Sequence, residues 1–146
     1  MSLRSKTLAT WLALTGGTLG LHRLYMFGFK DKLAWLHPLP TLAGYYGLQR
    51  MELLGQDDRL AWLLIPLLGL MLAQAMLQAI VYGLTSDEKW DARYNGGRAS
   101  ARSGWAAIIA VMLSLLLGAS ALMATIAFGS QRFFESQVEA AQELSQ

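Results

Sequence analysis

The side chains best suited to acid–base chemistry or metal ligation are two histidines, His22 and His37. Protein metal sites normally gather three or four His, Cys or carboxylate ligands, and this chain has two His and no Cys. The two histidines lie fifteen residues apart, and His37 precedes a proline in an apolar segment. The sequence therefore predicts no metal site and no cofactor. Haem ligation by the histidine pair is the less favoured alternative.

The acidic residues that stand together are Asp57-Asp58 and Asp87-Glu88, at the ends of apolar segments. Helix capping and solvation explain such adjacent pairs, whereas general acid–base catalysis needs carboxylates placed around a substrate. The chain also lacks the G-x-S-x-G motif of a nucleophile elbow. We therefore predict no catalytic residues and a protein that is not an enzyme.

Long apolar segments must position every candidate residue. Hydrophobic residues make up 54% of the chain and charged residues 15%, against about 25% charged in globular domains. Residues 60–86 and 103–131, stretches of 27 and 29, carry no charge. Each stretch exceeds the roughly 20 residues that cross a bilayer. The sequence predicts an integral membrane protein, and its formal charge of +2 gives no reason to expect nucleic acid binding.

Four apolar segments, residues 7–21, 33–48, 60–84 and 104–131, each have a tryptophan at or near the start. Tryptophan favours the membrane interface. We predict an all-α fold, a bundle of four transmembrane helices, with an amphipathic helical extension at the C-terminus. A re-entrant hairpin made of the first two segments is the alternative. Local signals predict a bend at Pro38 and Pro40, a cap at Asp57 or Asp58, and a short interfacial helix that follows a Thr85–Glu88 capping box and precedes an Asn95-Gly96-Gly97 turn.

The most distinctive string is Gly-Gly-Thr-Leu-Gly-Leu-His-Arg-Leu-Tyr-Met-Phe-Gly, residues 16–28. It resembles the signature of the TM-two domain family, roughly Gly-Gly-x-Gly-x-His-Arg-Phe-Tyr-x-Gly. Gly20, His22, Arg23 and Tyr25 fall on matching places. Leu24 replaces the usual Phe. One extra residue separates Gly17 from Gly20, and another separates Tyr25 from Gly28.

The resemblance covers about residues 5–50 and implies a transmembrane hairpin whose polar turn faces the cytoplasm. The resemblance does not extend to residues 51–146, which we predict to form a second transmembrane pair with a polar connecting loop and a C-terminal tail. The family has no defined reaction, so the resemblance implies a structural class and not an activity.

Small and polar residues give the candidate contact sites. Small residues allow close helix packing in lipid, where interhelical hydrogen bonds also form. The polar residues at the end of the first segment could contact lipid headgroups, because long cationic side chains can extend from a short span to the membrane surface. We therefore predict helix packing or partner contact at Gly16, Gly20, Ala106, Ala110, Ser114 and Gly118, headgroup or polar-turn contact at His22, Arg23 and Tyr25, and interhelical hydrogen bonds at Gln74 and Gln78.

Charge distribution suggests an orientation. With four spans, the amino tail, second loop and carboxyl tail share one side and carry five Lys and Arg residues, against seven in the first and third loops. The positive-inside rule then places loops one and three on the cytoplasmic side. We expect the membrane to be a bacterial inner membrane.

The expected function follows from these packing faces and from the lack of a catalytic motif. We expect a non-catalytic accessory, scaffold or assembly subunit whose partners are membrane lipids and other membrane proteins or further copies of itself. A small oligomeric transporter or channel is the alternative, favoured if Gln74 and Gln78 face a water-filled cavity.

Overall fold

The computed structural model describes residues 3–145, and these form helices joined by turns, so the all-α prediction is confirmed. A short 3₁₀ turn, Gly17–Leu19, follows the first helix. The helices are α1 (Lys6–Gly16), α2 (Leu21–Phe27), α3 (Lys32–Leu36), α4 (Pro38–Leu54), α5 (Arg59–Leu84), α6 (Asp87–Tyr94) and α7 (Trp105–Leu144).

Two helices, α5 and α7, are long and apolar enough to cross a membrane. They have 26 and 40 residues, or about 39 and 60 Å at about 1.5 Å per residue. Only 17% of the most apolar window of each is fully buried, and both helices carry exposed leucine side chains. The predicted bundle of four spans is not confirmed.

The small-residue face of α7 packs against α5, which runs antiparallel to it. Ala110 and Ser114 are fully buried, and a methyl group on Gly118 would lie 2.7 Å from Cβ of Met76. Ala106 is exposed, and its neighbour Ala107 is buried instead. The helix packing predicted for Ala110, Ser114 and Gly118 is therefore an internal contact with α5.

The first apolar segment does not cross the bundle. From its start near Gly83, α1 covers only the C-terminal half of α5, and Gly17 then lies against Ala75 near the middle of α5. There the chain reverses, and α2 runs back until the Tyr25 hydroxyl accepts a hydrogen bond from the backbone N–H of Ser5 at 2.8 Å. Residues 6–27 therefore form a helical hairpin that turns back beside the middle of α5, shorter than the predicted alternative of segments one and two.

Helices α3 and α4 continue from this hairpin to the opposite end of α5. They are separated at His37, next to the prolines that predicted a bend. Gly44 packs against Leu68, and Arg50 pairs with Asp58 at 2.7 Å. This pairing brings the end of α4 to the start of α5.

The amino tail lies with the third loop. The backbone N–H of Arg4 donates to Asn95 Oδ1 at 2.8 Å, and Lys6 Nζ lies 2.7 Å from Asp87 Oδ1. The prediction that the amino tail shares a side with the second loop is therefore wrong, because the first segment turns back. We call the end of the bundle formed by residues 3–6, 28–32 and 85–104 the basic end.

Short-range predictions did better. Asp58 accepts from the N–H of Ala61 and caps α5. Ser86, one residue after the predicted Thr85, caps α6. Gly96 and Gly97 have φ of 61° and 78° and form the predicted turn. Helix α7 continues without a break through the predicted C-terminal extension to Leu144.

Candidate functional site

His22, at the tip of the hairpin, lies side by side with His37, which separates α3 from α4. His22 is 1% exposed, and its ring centroid lies 5.6 Å from that of His37 and 6.0 Å from that of Tyr82. The tip lies beside Ala75, in the middle part of α5. Headgroup contact by His22 is therefore wrong, because its ring is enclosed by the bundle.

Hydrogen bonding fixes which ring nitrogen of His37 carries a proton when the ring is neutral. Its Nδ1 lies 2.7 Å from the carbonyl oxygen of Leu33, and a carbonyl can only accept, so Nδ1 carries the proton. The Nε2 atom of the neutral ring then presents a lone pair. Within residues 3–145, this buried Nε2 and the Nδ1 of His22 have no hydrogen-bond partner.

Gly20 shapes the tip. Its φ is 78°, in the left-handed region that residues with a Cβ seldom adopt. Pro38 has no N–H to donate to the carbonyl of Ala34, and a Cβ on Gly20 would collide with that carbonyl oxygen. Thr41 Oγ1 joins α4 to the tip by donating to the carbonyl of Thr18 at 2.8 Å.

Gly16 and Gly20, which were predicted to pack against a helix, instead flank a turn. Helix α1 ends at Gly16, where an added Cβ would meet the side chain of Leu21 of the same hairpin. Gly20 lies beyond a 3₁₀ turn, so the two glycines do not share one helix face. Gly17, next in sequence, makes the close approach to α5.

The other motif residues stabilise the hairpin. Arg23 Nε lies 2.8 Å from Asp31 Oδ2, and the guanidinium lies 5.1 Å from the ring centroid of Phe27. The hydrogen bond from Arg23 holds the pKa of Asp31 below its usual value. Tyr25 binds the backbone of Ser5. The polar-turn role predicted for Arg23 and Tyr25 fits these contacts, while headgroup contact by either stays a prediction.

The two glutamines of α5 have different surroundings. Gln74 is exposed and lines an apolar groove of about 290 Å³ with His37 and Met71. Gln78 is half-buried and does not line this groove.

Sequence reasoning missed a polar cluster at the basic end. Lys6, which is 6% exposed, pairs with Asp87 and donates to the Thr85 carbonyl at 2.6 Å. Hydrogen bonds from Lys6 and then Ser103 lower the pKa of Asp87 from 3.8 to about 2. The partners lie 79 to 97 residues from Lys6 along the chain, so no local pattern could have identified them.

A row of rings joins this cluster to the hairpin tip. Successive ring centroids are 4.6 Å apart for Tyr94–Trp90, 5.5 Å for Trp90–Tyr82, 6.0 Å for Tyr82–His22 and 5.6 Å for His22–His37. Trp90 is fully buried, and its indole N–H donates to the Arg4 carbonyl at 2.8 Å. The row extends from the basic end to the groove beside Gln74.

Within residues 3–145, no three His, Cys, Asp or Glu side chains lie close enough together to hold a metal ion. Comparisons with protein-family models, with curated proteins and with solved structures gave no match to this chain. The likeness to the TM-two domain family therefore stays a prediction based on residues 16–28. The polar groups at the groove, Gln74 and His37, are the candidate site that the geometry offers.

Proposed function

We propose that this protein is a non-catalytic accessory or assembly subunit that binds a helix of another membrane protein. The observation that carries the proposal is the exposed side chain of Gln74 beside His37. Both lie in an apolar groove between α5 and the α3–α4 segment.

Gln74 stands on a ridge between two grooves. Besides the groove of about 290 Å³ beside His37, it lines a second groove of about 380 Å³ formed by α5 and α7. Leucine side chains, including Leu70, Leu77 and Leu122, line much of the second groove. A ridge flanked by grooves matches the surface on which a helix packs.

The chemistry of the ridge favours a partner with a hydroxyl or amide side chain. A polar side chain facing lipid lacks the hydrogen bonds that water would supply. An interhelical hydrogen bond in a membrane contributes about 1 kcal/mol. Gln74 can both donate and accept, so Ser, Thr, Asn or Gln on a partner helix would complement its amide.

The alternative, an oligomeric transporter, needs polar groups that line one water-filled passage. Gln74 faces outward beside leucine side chains, and Gln78 is half-buried away from that groove. We therefore favour helix docking over conduction.

We expect Gln74→Leu to reduce recovery of a higher-mass complex about fivefold after mild detergent extraction from native membranes, because about 1 kcal/mol of hydrogen bonding is lost. Gln78→Leu is the matched control on the same helix, and Gln74→Asn should retain part of the complex. Native-gel migration with identification of each component is the measurement. An unchanged complex in Gln74→Leu would contradict the docking proposal, while a complex made only of copies of this chain would favour the oligomeric alternative.

We also propose that the basic end faces the cytoplasm and that the protein lies in a bacterial inner membrane. Of the twelve Lys and Arg residues, three lie toward the opposite end, Arg50, Arg59 and Arg132. The nine at or near the basic end are Arg4, Lys6, Arg23, Lys30, Lys32, Lys89, Arg93, Arg98 and Arg102. A distribution of nine cations against three supports this orientation far more strongly than the seven against five counted for a four-span arrangement.

The termini should therefore lie on opposite sides of the membrane. A reporter that is active only in the cytoplasm should work when fused before Leu3 or inserted after Arg98, and should fail when fused after Leu144. Protein levels of each fusion provide the control. Activity at neither terminus would instead support four spans, and activity only after Leu144 would reverse the orientation.

A further inference from the structure

A second concave site lies at the basic end, away from the docking groove. It has a volume of about 450 Å³ and lies between the amino tail, α2 and the turn after α6. Arg4 and Arg98 line it together with Tyr25, Tyr94 and Leu3. Two guanidinium-bearing residues and two tyrosines around one pocket suit an anionic ligand.

The backbone of Arg4 is fixed in place. Its N–H donates to Asn95 Oδ1 at 2.8 Å, and its carbonyl accepts from Asn95 Nδ2 at 3.2 Å and from Trp90 Nε1 at 2.8 Å. The guanidinium has no hydrogen-bond or ion-pair partner within residues 3–145. A cation on a rigidly held backbone loses less freedom when it binds a ligand.

Arg98 supplies further donors. Its Nε donates to the Asn95 carbonyl at 3.3 Å, and its two terminal nitrogens have no partner in the described part of the chain. The nearby carboxylate of Asp91 is already engaged, because its two oxygens accept from Asn95 Nδ2 at 2.7 Å and from the Ser100 N–H at 2.9 Å. The hydrogen bonds from Ser100 and Asn95 hold the pKa of Asp91 below its usual value.

We propose that this pocket binds a phosphate group, carried by an anionic phospholipid or free in solution. A guanidinium binds phosphate through paired N–H donors, and the geometry leaves such donors free on both arginines. The pocket lies just beyond the end of α5, among the residues that continue from its C-terminus, at the depth of a lipid headgroup. Leu3, 45% exposed at the pocket, suits the apolar part of such a lipid.

The test uses the full chain in nanodiscs of zwitterionic lipid, to which phosphatidylglycerol is added in one arm and inorganic phosphate in the other. Bound ligand is measured by native mass spectrometry. Arg4→Gln with Arg98→Gln should weaken binding by about 20- to 30-fold, at about fivefold for the hydrogen bond to phosphate that each arginine loses. The Arg4 substitution leaves the backbone contacts of Arg4 in place.

Lys30→Gln with Lys32→Gln is the matched control, since it removes two exposed cations of the same end outside the pocket. This control should change binding less than about threefold, because screened surface charges contribute little. Saturable binding of phosphatidylglycerol alone identifies a lipid site, and binding of inorganic phosphate as well identifies a phosphate site. Equal losses in the two double variants, or no saturable binding of either probe, would overturn the proposal.

Discussion

Gly20→Ala should destabilise the protein by about 2–5 kcal/mol and displace the hairpin tip from α3. A left-handed backbone costs a residue with a Cβ about 1–2 kcal/mol. The new methyl group would also collide with the carbonyl oxygen of Ala34, which belongs to rigid backbone and not to a flexible side chain. Overpacking of this kind typically adds about 1–3 kcal/mol. Thermal unfolding in mild detergent and protease sensitivity of residues 17–31 are the measurements.

Gly97→Ala separates the two contributions. Gly97 has the same φ of 78°, but a Cβ there meets no atom within 4 Å. It should therefore cost only the backbone part, about 1–2 kcal/mol. If both variants unfold at the same temperature, close packing between Gly20 and Ala34 contributes nothing to stability, and this prediction is wrong.

Lys6→Met should destabilise the basic end by about 2 kcal/mol. Removing one partner of a buried ion pair typically costs about 3–5 kcal/mol, and the expected value here is lower because the Asp87 side chain is 33% exposed. The substitution leaves Asp87 with its hydrogen bonds from Ser103 alone. Lys30→Met is the matched control, because Lys30 is exposed at the same end and surface substitutions usually change stability by less than about 0.5 kcal/mol.

Acid should weaken the same ion pair and so lower the melting temperature. Interactions with Lys6 and Ser103 lower the pKa of Asp87 from 3.8 to about 2. The stabilisation is therefore complete above the unfolded value and is lost as the pH falls through the folded value. Wild type should lose melting temperature between about pH 4 and pH 2, and Lys6→Met should lose less over the same interval. An identical acid profile in both proteins would contradict the role of Lys6.

The sequence predicted the features that depend on neighbours along the chain. A carboxylate one residue before an apolar run is enough to identify Asp58 as a cap, and Asn95-Gly96-Gly97 is enough to identify a turn. Uncharged stretches likewise identified α5 and α7 as the helices suited to a membrane. Each of these signals has a physical cause within a few residues.

The hairpin tip shows why contacts between distant parts of the chain could not be predicted from the sequence. A glycine can serve close helix packing or a positive φ, and Gly20 was interpreted as the first when its φ of 78° requires the second. That difference depends on the packing of Gly20 against Ala34 of α3 and of Gly17 against Ala75 of α5. The same contacts turn the first segment back, and so they decide at which end of the bundle the amino terminus lies. The meeting of His22 with His37 also depends on this reversal.

The hairpin of residues 6–27 also has a consequence for the order of events during synthesis in a membrane. Gly17 packs on Ala75, which is 58 residues further along the chain, and a ribosome adds about 5–20 residues per second. The tip therefore waits about 3–12 s for the helix that covers it. Turned backbone is not stable against lipid, so the amino-terminal segment should stay at the membrane surface until α5 has inserted. The part of the protein made first is then among the last to reach its final place.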